Sequence, residues 1–290
     1  MLVVLGVMVV ALVIIWSQRK RAAEAEVNRL LRSGGLPADA ELCESARLWF
    51  VRRQDIVVLG VLAGVVVTTV GLLVADLGFG ADLVTGGELD LRLLTLLFAF
   101  VAALGGVATL VHGYRAVRLS RVEGARQAAL RPRRLDDYLN PIEVFAHRVI
   151  VVVPLVCVGL GVVVLGSADR PARGWILIGS GVLAVLLWAG GVWLQRMALG
   201  VSQASGRPEQ LLWQEALRAA TLRDLGSAMI AVCWLLGAAV PSSFEWPADV
   251  PAAFEWVGFA MFLVSMGLIC VTTAVAVSRW GLGRVRRVVG

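Results

Sequence analysis

The only imidazoles in the chain are His112 and His147. On facing ends of antiparallel helices, such a pair could supply the two axial nitrogens of a haem iron. His112 adjoins Gly113 and Tyr114, though, where a wetted histidine needs no ligand to explain it. Asp136 and Asp137 open an Asp-Asp-Tyr-Leu-Asn stretch, and paired carboxylates near a membrane surface can hold magnesium for chemistry on lipid diphosphates. Sites of that kind gather more carboxylates than these two. The next one, Glu143, lies beyond Pro141, and Arg133 and Arg134 beside the pair favour a helix-start cluster. Cys43, Cys157, Cys233 and Cys270 have no paired spacing, so they read as small buried hydrophobes and not as a disulfide framework or a zinc site. No Ser/His/Asp arrangement or glycine-rich phosphate loop occurs. The expectation is a chain without cofactor, metal or active site; haem would be sought first at His112 and His147, and a metal at Asp136 and Asp137.

The elements that would position these residues follow from composition. The chain of 290 residues is 59% hydrophobic, with mean hydropathy +0.82 and 17% charged residues; soluble domains carry roughly 25% charged residues. Seven uncharged apolar runs stand out, at 2–16, 56–75, 93–111, 149–165, 175–194, 225–240 and 257–277. A helix needs about 20 residues to cross the hydrocarbon layer, and lipid leaves no partner for an unpaired backbone amide, so spans are helices or closed barrels. Runs such as Val149 to Val153 lack the alternation of a barrel strand. The expected fold is all-α: one integral membrane domain, 1–290, built as a polytopic bundle of seven spans. The first run is followed, not preceded, by its basic residues and has no small-residue cleavage site, so it reads as an uncleaved anchor.

Orientation follows from arginine and lysine, which stay on the cytoplasmic side. The loops 17–55, 112–148 and 195–224 and the tail 278–290 hold 24 of the 27 basic residues, and the alternate loops hold only Arg92, Arg170 and Arg173. That alternation places the amino terminus outside and the carboxyl terminus in the cytoplasm. It also explains the net charge of +6 without nucleic acid. The arginine bias, with Lys20 the single lysine, and the abundant Ala, Gly and Val suggest a bacterial source and hence a bacterial plasma membrane. Seven spans with this orientation invite comparison with retinal-binding proteins, which hold retinal on a lysine of the last helix. Lys20 lies in the first loop, so the chemistry is missing.

The three cytoplasmic loops share a plan in which a span leaves into an Arg-rich turn, a breaker follows, and a second helix leads back. Gly34, Gly35 and Pro37 break the first loop, and Leu42, Ala46, Trp49 and Phe50 share one face of its return helix. Gly206 and Pro208 precede the return of the third, where Leu212, Ala216 and Ala220 line up. Asn140 is the cap candidate of the middle loop. The resemblance of 37–53 to 208–224 suggests a repeated two-helix unit. Gly60 and Gly64, with Gly181, Gly105–Gly106 and Gly190–Gly191 in other spans, allow close helix packing, within one bundle or across a homo-oligomer seam. Pro154 should kink the fourth span in its outward half. Two Phe-Glu-Trp motifs, at 244–246 and 254–256, suit an interfacial anchor.

Ionisable residues inside a membrane mark ion paths and proton relays, and the seven runs contain none. The leading expectation is therefore a non-catalytic scaffold or subunit of a membrane assembly, acting through its cytoplasmic helical loops. Its expected partners are proteins, a second copy of itself, and anionic lipids of the inner leaflet. The alternative is a permease or channel subunit for an uncharged or lipid-like substrate, its path lined by hydroxyls such as Thr68, Ser180 and Thr272. An enzyme using Asp136 and Asp137 ranks third.

Overall fold

A computed structural model describes residues 2–79, 104–116, 126–127, 133–166, 171–201, 203–204 and 208–239. The predicted seventh span, both Phe-Glu-Trp motifs, Cys270, and the part of the third span before residue 104 lie outside them. The described elements are helices, apart from a two-residue antiparallel ladder between Arg126–Gln127 and Gln203–Ala204.

Helix α1, Leu2–Gly34, runs through the first apolar stretch and on into the polar loop without a break. Its polar half buries Ala23, Val27 and Leu30, spaced one helical turn apart. Gly35 then adopts φ 57°, a left-handed conformation that only glycine takes without cost. The Asp39 carboxylate accepts hydrogen bonds from the Glu41 and Leu42 amides at 2.8 and 3.3 Å, which caps α2, Ala40–Phe79. Ala46 and Phe50 of α2 pack on the α1 face, with Leu42 and Trp49 at the margin. No breaker separates this return helix from the second apolar run, so the two form one 40-residue helix.

Helix α3, 104–116, lies between α2 and the last described helix. A methyl group on Gly60 would collide with Ala108, and one on Gly113 would meet Leu225 at 2.7 Å. Gly60 thus faces a neighbour in the same chain.

The middle loop ends in α4, Pro141–Val149. The Asn140 side chain accepts from the Ile142 amide at 3.1 Å, and Glu143 accepts from the Asn140 amide at 2.9 Å. Asn140→Ala should cost about 1 kcal/mol and accelerate amide exchange in the first turn of α4; unchanged exchange would refute the cap. A turn at Ile150 and Val151 separates α4 from α5, Val152–Gly166. The interruption thus falls four residues before Pro154, whose ring displaces the carbonyl at i−4. It lies at the loop end of the span, which corrects the expectation of a kink in the outward half.

Helix α6, Pro171–Gly200, returns against α5 with glycines at the seam. Methyl groups on Gly161 and Gly181 would meet the Gly174 carbonyl at 2.9 Å and the Pro154 carbonyl at 2.8 Å. Helix α7, Pro208–Trp234, ends in a π turn, Leu235–Ala239, whose Gly237 abuts Pro154.

Three stretches among the described residues are long and apolar enough to cross a membrane: Pro141–Gly166, Gly174–Gly200 and Pro208–Gly237. They contain the predicted fourth and fifth spans and nearly all of the sixth. The share buried against the rest of the chain is 67% for the last, against 39% and 22% for the others. Helix α7 is the central one.

Candidate functional site

The densest polar chemistry lies where the loop helices meet the polar half of α7. That half is enclosed on two sides. Trp213 and Ala216 pack into the α1–α2 hairpin, and the Trp213 indole donates to the Pro37 carbonyl at 3.1 Å. Ala219 and Leu222 pack on Tyr138, Leu139 and Val144 of the middle loop and on Ala198 and Val201.

Glu215, only 2% exposed, sits between these contacts. It accepts the Tyr138 hydroxyl at 2.7 Å and pairs with Arg133 at 2.8 Å and Arg218 at 3.3 Å. Both guanidinium groups also donate to the Val201 carbonyl, at 3.2 and 2.7 Å. Burial, and then the bond to Glu215, push the Tyr138 phenol up to about 12, so it remains a donor at any physiological pH.

Further ion pairs join the same helix to its neighbours. Arg223 donates to the buried Glu143 of α4 at 2.9 Å, and Asp224 accepts from Arg53 of α2 at 2.6 Å. At the foot of α1, Arg19 pairs with Asp55 at 3.0 Å and its guanidinium lies 3.8 Å over the Trp16 ring. The pairs of Arg47 with Glu44 and Glu24 are more exposed and contribute little. Buried pairs behave differently: removing one partner strands a desolvated charge. The layer therefore makes the relative placement of the three loops nearly all-or-none.

The residues proposed for chemistry are distributed through this layer. His112 lies one turn before the end of α3 and packs edge-on against Trp49, ring centroids 5.1 Å apart. His147 lies in the last turn of α4, on Gly226 of α7, where any side chain would strike the imidazole. The two rings thus pack on different helices, and no contact between them occurs among the described residues. His112 Nε2 and His147 Nδ1 are buried without hydrogen-bond partners there. Asp136 is exposed; Asp137 accepts from the Arg134 amide at 2.8 Å and serves the local turn. Glu143, the nearest further carboxylate, is engaged by Arg223 and the Asn140 amide. No group of three His, Cys, Asp or Glu side chains converges among the described residues. Cys43 is half-buried, which raises its thiol pKa, while Cys157 and Cys233 are buried.

Sequence reasoning missed Glu215, Arg218 and Tyr138. The available signal was the Glu-x-x-Arg spacing of Glu215 and Arg218, one helical turn apart next to the apolar Ala216 face. Their partners Arg133 and Tyr138 lie about 80 residues away in the chain, a separation that no local pattern bridges. No protein-family model, curated protein or solved structure matches the chain.

Proposed function

We propose that the chain is a non-catalytic integral protein of a bacterial plasma membrane, a scaffold or subunit of a membrane assembly. In this reading it has seven spans, an external amino terminus and a cytoplasmic carboxyl terminus. The observation that carries it is the ion-paired layer around Glu215. The loop ends of α1, α2, α4 and α7 are knit into one body, and α1, α2 and α7 run on without a break into apolar helix. Such a body presents a fixed surface to a partner at low ordering cost.

The exposed face of α6 supports membrane placement. Trp175 and Trp193, 65% and 55% exposed, flank Ile176, Val182, Leu183 and Leu186 on it. The two indoles stand about 27 Å apart along the axis at 1.5 Å per residue, close to the roughly 30 Å hydrocarbon thickness. Trp favours the headgroup zone. In single-Trp variants, lipids brominated near the headgroup should quench Trp175 and Trp193 more strongly than lipids brominated at mid-chain. The reverse order would contradict the assignment.

The scaffold reading is tested by purifying the chain in mild detergent and identifying co-eluting proteins by mass spectrometry. It predicts a stoichiometric partner that is lost on Glu215→Gln. A monomer eluting alone counts against it.

A further inference from the structure

We infer that Arg148 holds the phosphate of an anionic phospholipid at the joint between α4 and α5. The inference rests on the reading that α5 and α6 cross the bilayer.

The contacts between α5 and α6 fix their antiparallel register. Gly161 lies against Gly174 and Ile178, Gly181 against Pro154 and Val158, and the Trp188 indole donates to the His147 carbonyl at 2.8 Å. Extending that register toward the loop places Phe145 level with the turn ending at Trp193. Both are exposed aromatics, and together they mark the depth of one interface.

Arg148 stands three residues beyond Phe145, about 4.5 Å further into the bilayer. Its neighbours on the helix surface are Phe145 and Val152, 61% and 52% exposed, so the guanidinium emerges in an apolar stripe. It is itself exposed and makes no ion pair among the described residues. Arg223, Arg53 and Arg19, by contrast, each have a carboxylate within 3.0 Å. A guanidinium among acyl chains must reach toward the headgroups, where the available counter-charge is phosphate. Its planar fork matches two phosphate oxygens. A lipid without a compensating ammonium neutralises it most fully, which favours an anionic headgroup such as phosphatidylglycerol.

The full chain is reconstituted in nanodiscs of phosphatidylcholine and phosphatidylglycerol, extracted gently, and its retained lipid read by native mass spectrometry. Wild type should retain phosphatidylglycerol over phosphatidylcholine. Arg148→Gln should lower that retention about fivefold, the effect of one basic residue at a charged bilayer surface, and Arg148→Lys should lower it less. Arg134→Gln, exposed on the loop side of α4, should leave it unchanged. Wild-type retention in Arg148→Gln, or equal retention of the two lipids, overturns the site. Loss of the lipid on adding inorganic phosphate would show a free-anion site and overturns it also. If Arg148→Gln fails to insert, full retention in inserted Arg148→Lys, with its fork removed, overturns it. Release of the wild-type chain by alkaline carbonate would instead overturn the membrane reading, and the site with it.

Discussion

Glu215→Gln is expected to destabilise the protein by about 3–5 kcal/mol, the cost of stranding a buried charge. Arg218, itself buried, pairs with this carboxylate, and the Val201 carbonyl to which it also donates cannot replace a full negative charge. Intrinsic Trp fluorescence during a thermal melt in detergent would report it, because Trp213 packs beside the network. Removing all three charges together, as Arg133→Met, Glu215→Leu and Arg218→Leu, should cost less than the single change. Apolar replacements leave no unpaired ion. An unchanged melting temperature for Glu215→Gln would show that the network is solvated and does not hold the loops.

The second large effect is a contrast of sign among glycines of the same two helices. Gly161→Ala and Gly181→Ala each place a methyl group under 3 Å from a backbone carbonyl of the facing helix. Backbone cannot rotate away, so α5 and α6 must separate, at about 1–3 kcal/mol for each substitution. Gly159 and Gly179 have nothing within 4 Å of the same methyl position. Alanine there should be neutral or stabilising by up to about 1 kcal/mol, through helix propensity alone. Thermal melts of the four single variants settle the matter. Equal effects at all four positions would mean that the glycine seam does not set the spacing of the helices.

Apolar periodicity and length made the helices themselves legible. The runs at 149–165 and 175–194 fall within Pro141–Gly166 and Gly174–Gly200, because twenty uncharged residues leave the backbone little alternative to a helix. Asn140 was readable as a cap because capping chemistry is local. The face of Leu42, Ala46, Trp49 and Phe50 was readable because it repeats with the helical period. The loop-side face of α7 was readable only in part. Leu212 and Ala216 pack on the hairpin as their spacing suggests, yet Ala219 and Leu222, not Ala220, complete the burial on the other side. A helix enclosed from two directions has no single apolar stripe to detect. The break at Ile150 was misplaced because Pro154 itself lies in the loop-side half of the run 149–165, and its ring acts on a carbonyl four residues nearer the loop still. The small residues illustrate a further limit: composition marks Gly60 as a packing position, but only the fold shows that Ala108 is what it meets.

Cys43 offers the most direct test of the account, since it lies on the α1–α2 hairpin that the ion-paired layer ties to α7. With Cys157, Cys233 and Cys270 replaced by serine, a membrane-impermeant maleimide should leave Cys43 unmodified in intact cells and label it in inside-out vesicles. Labelling in intact cells, with none in the vesicles, would put the hairpin on the outer face and contradict the proposed threading.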